Sequence, residues 1–254
     1  METDVDRPDT QNFLHRPDLK GSITFDRVTF AYPHDTRKIL DGASFKINAG
    51  EKIGIIGRIG SGKSTLTKVL SGLYDPNDGE ILIDGTDHRQ IDPADLRRTI
   101  GYIAQDTILF TGTIRDNIIA GHPQASEEEI LEIAKISGVH DFVAKLPMGY
   151  DTPVGERGDS LSGGQKQCVG MARALMTNPK ILLADEPTNH MDTQAEANFS
   201  AQMRALSTDK TLILITHRQN LLQLVDRLIV LEAGQVIADG PRDDIVKALN
   251  GGKA

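Results

Sequence analysis

The stretch Gly57-Arg58-Ile59-Gly60-Ser61-Gly62-Lys63-Ser64-Thr65 decides how the rest of the chain is read. It fits the pattern G-x-x-x-x-G-K-[S/T]. Before it runs Lys52-Ile53-Gly54-Ile55-Ile56, apolar enough for a buried strand, and after it Leu66-Thr67-Lys68-Val69-Leu70 continues as a helix. Strand, glycine loop and helix is the context in which this motif holds phosphate. The glycines let successive backbone N–H groups turn inward around anionic oxygens, and the helix start adds the positive end of its dipole. Lys63 then reaches the β- and γ-phosphates, and Ser64 offers its hydroxyl to Mg²⁺. The alternative is a glycine-rich turn that enters a helix without a ligand. The full motif in this context disfavours it.

Two further stretches carry chemistry. In Ile181-Leu182-Leu183-Ala184-Asp185-Glu186, four apolar residues deliver two carboxylates to the C-terminal end of a strand, where open α/β sheets bind ligands. Asp185 has the place of a residue that holds Mg²⁺ through water, and Glu186 is set to orient and deprotonate an attacking water. A solvated acidic pair at a strand end is the bland reading, and the phosphate loop weighs against it. In Leu161-Ser162-Gly163-Gly164-Gln165, small residues open a helix that continues through Lys166 to Ala174. The Ser162 hydroxyl and the free N–H groups offer a second phosphate-binding helix start. Alone such a helix start is a weak signal. Its place about twenty residues before the Asp-Glu pair strengthens it.

Composition sets the frame. A chain of 254 residues can bury a substantial core. A formal net charge of −8 argues against a nucleic-acid footprint, which needs a basic face. A single cysteine, Cys168, excludes a disulfide framework and fits a reducing compartment. No apolar run approaches the roughly 18–20 residues that span a bilayer, and the acidic start Met1-Glu2-Thr3-Asp4 is not a secretory signal.

Along the chain, residues 1 to about 20 read as a linker with Pro8, Pro17 and scattered charge. Alternation over Ser22–Phe30 predicts a strand, as do Asp41–Ile47, Lys52–Ile56 and Ile81–Ile83. From about Thr107 to Met176 the texture turns helical, with a capping box at Ser126-Glu127-Glu128-Glu129. Then Ile181–Ala184, Leu212–Ile215 and Leu228–Leu231 resume short aliphatic runs between helical segments, the pattern of a buried, largely parallel sheet with helices on both faces.

With these motifs together, residues 21–250 resemble the nucleotide-binding domain of an ATP-binding-cassette transporter, and Leu161–Gln165 resembles that family's signature. The resemblance implies an α/β fold: a phosphate-loop NTPase core of RecA-like type (about 21–106 and 177–250), an N-terminal antiparallel β subdomain and an inserted helical subdomain (about 107–176). Residues 251–254 are left as a tail. It implies ATP hydrolysis with Mg²⁺. It also implies a head-to-tail dimer, in which Ser162 and Gly164, with Gly163 and Gln165 beside them, close on the γ-phosphate held by the other copy's Gly57–Thr65. Residue by residue, Tyr32 matches the aromatic that stacks on adenine, and Gln105 the glutamine that touches Mg²⁺ and the attacking water. His217 matches the histidine on the γ-phosphate, and Asp192 a residue that reaches across the dimer. The other six histidines, His88 and His140 among them, are left as surface residues. Asn189-His190 departs from the Ser-Ala that exporters usually carry before Met191-Asp192, and Cys168 is read as a small helix residue.

Val154-Gly155-Glu156-Arg157-Gly158 and Leu109–Ile118 are similar to exporter loops, and Arg16–Gly21 and Val236–Asp243 to type I secretion ATPases. The expectation is a motor excised from a longer chain and working at the cytoplasmic face of the inner membrane. Its partners are a second copy and the transmembrane domain of the same parent chain, with a periplasmic adaptor and an outer-membrane channel reached through the full transporter. The cargo is a toxin or adhesin polypeptide. An exporter of lipid, drug or small peptide and an importer ATPase subunit are the alternatives. A soluble cassette protein on ribosomes or DNA is a third, against which the single cassette and the acidic charge count.

Overall fold

A computed structural model describes residues 12–189 and 191–251. Ten strands occur among them: β1 Ile23–Phe30, β2 Leu40–Ile47, β3 Lys52–Ile56, β4 Asp78–Ile83, β5 Thr86–Asp87, β6 Ile100–Ile103, β7 Ile181–Asp185, β8 Thr211–Ile215, β9 Arg227–Glu232 and β10 Gln235–Pro241. The α-helices are α1 Lys63–Leu70, α2 Pro93–Thr99, α3 Ile114–Ile118, α4 Glu127–Ile136, α5 Val139–Val143, α6 Gly163–Leu175, α7 Thr193–Leu206, α8 Gln219–Leu222 and α9 Arg242–Gly251.

The strands form two sheets. The first is antiparallel in the order β2-β1-β4-β5. Its strand β1 alternates buried and partly exposed residues, the period-two pattern of a sheet packed on one face. Phe25 and Phe45 face each other across β1 and β2 and stack with ring centroids 4.5 Å apart, worth about 0.5–1.5 kcal/mol beyond their area. The second sheet runs β10-β9-β3-β8-β7-β6, parallel except where β10 returns antiparallel on β9. Every residue of β7 and β8 is buried, as a strand covered by helices on both faces requires. β3 lies beside β8, β8 beside β7 and β7 beside β6, so four strands end at one edge. That edge positions the site.

Residues 107–176 hold four α-helices and a hydrophobic cluster drawn from Leu109, Ile114, Ile118, Ile130, Val139 and neighbours within the block. The box at Ser126 forms: its hydroxyl accepts from Glu129 N–H, and the Glu129 carboxylate accepts from Ser126 N–H. The two exporter-like segments meet in space, where Val154 N–H donates to Gly112 O at 3.0 Å and Thr113 bridges Pro153.

Three expectations need adjustment. The segment up to residue 20 is seated on the domain from residue 12 onward: Leu14 bridges Ile91, Leu19 is buried, and Asp84 accepts from the N–H groups of Gly21 and Ser22. The rest of that linker, the His190 departure and residues 252–254 lie outside the described residues, and α9 extends one residue into the expected tail. His88 is not a surface residue. It is 2 % exposed just after β5, because the short helical turn that it begins packs against β4. Burial depresses its pKa, against the pull of Asp87 and Asp75. No helix among the described residues is long and apolar enough to cross a membrane.

Candidate nucleotide site

The phosphate loop closes because glycine is required at two points. A Cβ on Gly57 would lie 2.1 Å from Leu231 O. Gly62, the N-cap of α1, sits at φ 103, and a Cβ there would lie 2.7 Å from Ile39 O. No side chain satisfies the first turn of α1, so its N–H groups remain available to an anion. The Lys63 ammonium donates to Gly57 O at 2.8 Å and Arg58 O at 2.9 Å. Burial lowers its pKa, and Glu186 and Asp185 act in the opposite direction.

Each neighbouring strand end adds a group. Asp185 ends β7 and is 2 % exposed. Its carboxylate accepts from the Ser64 hydroxyl, yet Oδ1 has no hydrogen-bond partner. Burial raises its pKa above the ordinary carboxylate range and Glu186 adds to this, while Ser64, Lys63 and Lys68 pull it down. Glu186 follows at φ 45, a left-handed conformation that costs a non-glycine residue about 1 kcal/mol. Its N–H donates to Ile215 O at 2.8 Å, which fixes it against β8. Its Oε1 lies 2.9 Å from His217 Nδ1, where the ring N–H donates, and Oε2 is buried without a partner. Gln105 follows β6 at the same edge and is exposed.

The donor set fits Mg²⁺ shared with a nucleotide. Magnesium takes one or two carboxylates and completes its octahedron with phosphate and water. Ser64, Asp185 and the orphaned Oδ1 supply that much. No group of three or more His, Cys, Asp or Glu suited to a metal occurs among the described residues. A stand-alone cation site is therefore not what these residues build.

Tyr32 lines a cavity of about 480 Å³ with Lys38, Gly60, Lys63 and Thr65. Its ring meets Phe30 and Tyr74 edge-on at 5.0 and 5.3 Å, and its hydroxyl lies 3.1 Å from Thr65 Oγ1. Ser162 to Gln165 line a different cavity of about 490 Å³, shared with Asp192. No residue lines both. Ser162 Oγ accepts from Gln165 N–H and the Gln165 amide oxygen from Ser162 N–H, a complete capping box on α6. Asp192 caps α7 from one side only, accepting from Ala195 N–H at 2.8 Å. The chain thus gathers Lys63, Ser64, Gln105, Asp185, Glu186 and His217 at one sheet edge, and keeps Ser162–Gln165 and Asp192 apart from them.

A model of the family described as "ABC transporter" matches residues 40–189. The chain belongs to the ABC transporter family. Nucleotide binding goes with that membership. Among its relatives is the leukotoxin translocation ATP-binding protein LktB of Mannheimia haemolytica, 44% identical over 241 residues, which are 95% of this chain and 34% of that protein. The LktB proteins of Mannheimia glucosida and Bibersteinia trehalosi are each 43% identical over the same share. The chain therefore spans about a third of the length of these relatives. Among solved structures, a bacterial Atm1-family ABC exporter with ATP bound superposes with a TM-score of 0.86 at 41% identity, covering 94% of this chain and 43% of that one.

Two residues of the ABC domain's signature helix were given no role by sequence reasoning. Buried Gln167 donates to Ala104 O at 2.9 Å and accepts from Thr107 Oγ1 at 2.7 Å. Arg173 donates to Ile108 O and to both the backbone and side-chain oxygens of Asn117, and lies 4.6 Å from the centroid of the Phe110 ring. Helix α6 thus grips the loop after Gln105 at both ends. The available signal was two long polar side chains in a stretch of small and apolar ones. Cys168, on the same helix, has its pKa pushed up to about 11 by burial, with Asp141 adding to it, so the thiol is unreactive at neutral pH.

Proposed function

We propose that this chain is the ATP-hydrolysing motor of an exporter that energises type I secretion of a polypeptide, a toxin or adhesin, across the inner membrane. The observation that carries the reading is the Glu186–His217 pair beside Asp185 at the mouth of the phosphate loop, with Glu186 Oε2 buried and unpartnered. A carboxylate oxygen desolvated in this way is a proton acceptor that a water molecule can satisfy. Similarity to LktB, a leukotoxin translocation ATP-binding protein, supports the cargo class.

Adenine lies on Tyr32 and the triphosphate in the turn of Gly57, Arg58, Gly60, Ser61 and Gly62, with Lys63 exchanging loop carbonyls for β- and γ-oxygens. Ser64 and Asp185 would hold Mg²⁺, with Gln105 as a further contact and Thr65 part of the same loop; the ion would supply positive charge to offset that of the β- and γ-phosphates. Glu186 takes the proton of the water that attacks the γ-phosphorus, and ADP and phosphate leave. His217 holds Glu186 through Nδ1. Donation to the γ-phosphate as well, through Nε2, requires both ring nitrogens to be protonated. Ser162, Gly163, Gly164 and Gln165 complete the cage from a second copy, with Asp192 beside them. The separation of the two cavities within one chain supports this head-to-tail pairing.

The gripped loop with exposed Ile108 and Phe110 is the surface offered to a transmembrane domain of the parent chain. That domain would hold the motor at the cytoplasmic face, and adaptor and outer-membrane channel join through it. The distinct cluster of residues 109–176 supports reading about 107–176 as a helical subdomain inserted in a core of about 21–106 and 177–250.

Substituting Glu186→Gln is expected to lower turnover about 10²–10⁴-fold and to trap an ATP-bound dimer visible by gel filtration. Unchanged steady-state hydrolysis in that variant would sink the assignment.

A further inference from the structure

His217 is 71 % exposed on its side chain, and the bond to Glu186 is a poor anchor for it, since that bond exists only if the backbone already presents the ring. What presents the ring is the segment on either side. Thr216 is buried, and its Oγ1 accepts from Arg218 N–H at 3.1 Å, which folds the chain tightly around His217. Arg218 then turns its guanidinium onto Glu196 of α7. The second oxygen of Glu196 accepts from Asn220 Nδ2 at 3.2 Å. Both oxygens of one carboxylate are thus taken by residues within three positions of His217.

Glu196 is an unusual residue to find there, since its side chain is buried on a helix otherwise packed through Phe199 and Met203. A buried ion pair gains little stability over an apolar pair of the same shape, because desolvation offsets the attraction. What it supplies is a fixed direction: a guanidinium fork meets a carboxylate in few geometries. The carboxylate is also tied to another part of the site. Glu196 N–H donates to Asp192 O at 2.9 Å, so it stands one helical turn after the residue that caps α7 and shares a cavity with Ser162.

We propose that Glu196 is a positioning residue for turnover. Through Arg218 and Asn220 it sets His217 against Glu186, and it ties the start of α7 at Asp192 to the reacting edge of the sheet. The inference rests on the reading that Glu186 and His217 are the reacting pair.

The experiment uses the chain as it stands, with ¹⁵N-labelled histidine. In the wild type the His217 Nδ1 signal should carry the signature of its bond to Glu186, with or without nucleotide. Glu196→Ala should lose or broaden that signal and lower kcat about 10–100-fold, the scale of an ångström of misplacement. The KM for ATP should move less than about threefold, since ground-state binding is left intact. Glu196→Gln keeps an acceptor for Arg218 and should recover much of both readouts. Phe199→Leu is the control for simple loosening of α7, lowering Tm by about 2–4 °C with kcat and the ring signal kept. A wild-type ring signal and kcat in Glu196→Ala overturns the proposal, as does a Phe199→Leu variant that reproduces both losses. If Glu196→Ala does not fold, Arg218→Ala carries the ring-signal test, and a ring signal and kcat identical with the wild type in Arg218→Ala overturn the proposal. Normal turnover in Glu186→Gln would instead overturn the parent reading, and the ring signal would still report on Glu196.

Discussion

The sheet edge and the signature helix present similar chemistry, hydroxyls and backbone N–H groups at a helix start, but their groups are bonded very differently. At the sheet edge Ser61 Oγ, Asp185 Oδ1 and Glu186 Oε2 are buried without partners, and Glu186 sits in a left-handed conformation. At the signature, Ser162 and Gln165 satisfy each other, and Asp192 accepts from Ala195 N–H at the start of α7. The first arrangement exists only because four strand ends from distant parts of the chain are packed side by side, and it leaves polar atoms that a ligand can satisfy. The second is local and complete in itself. It can approach a ligand only by being brought to one.

The sharpest way to break this contrast is complementation. Lys63→Ala and Ser162→Ala should each lower turnover about 10²-fold or more when alone. A mixture should regain measurable hydrolysis, because a mixed dimer holds one site with both parts intact. No recovery on mixing breaks the two-chain reading. Ser162→Ala should also lose about 1 kcal/mol from its cap, read as a lowered Tm.

A smaller effect is expected at Asp185. Asp185→Asn keeps the shape and an acceptor for Ser64 while removing a buried charge. Tm without nucleotide should rise by about 2–4 °C at neutral pH, and Mg²⁺-dependent nucleotide affinity should fall. The sign follows from linkage. The folded-state pKa is raised, so the native state keeps its proton to higher pH than the unfolded chain. That contribution is full below 3.8, the unfolded value, and is lost as pH rises through the folded one. Asp185→Asn should therefore flatten the acid side of the stability profile. A fall in Tm would mean that the charge is compensated after all.

The smallest effect sharpens the contrast from outside the site. His88 also has both ring nitrogens buried without hydrogen bonds, yet it begins the short helical turn after β5, away from the four strand ends. Its pKa is depressed by burial, so its contribution is present above 6.5 and lost as pH falls through the folded value. Stability should decline between those two values by at most about 1.4 kcal/mol per pH unit, and His88→Leu should blunt the decline with turnover unchanged. An orphaned polar atom marks a site only where strand ends and a glycine loop surround it.

Much of this was legible in order. Gly57–Thr65 and Asp185-Glu186 announce themselves because their partners are adjacent in sequence, as do the capping boxes at Ser126 and Ser162. β6 and β10 were passed over: the first is four residues long, and the second alternates with mostly exposed residues and owes its form to β9. His88 reads as a polar residue in a turn, and only the packing above it makes it interior. Gln167, Arg173, Glu196 and Arg218 bond across 22 to 65 residues of sequence, where no local period reports them.

By itself, then, the sequence determined that a glycine loop from Gly57 to Thr65 joins a strand to a helix, that Asp185 and Glu186 end a buried strand, and that Leu161–Gln165 starts a helix. These follow from glycine conformation, apolar runs and caps, all of which act within a few residues. Tertiary structure alone decided that β3, β6, β7 and β8 end together, that Glu186 meets His217, and that the signature lies outside the site its own chain builds. Those depend on which strand lies beside which, and that order is set by burial of faces distributed over the whole chain.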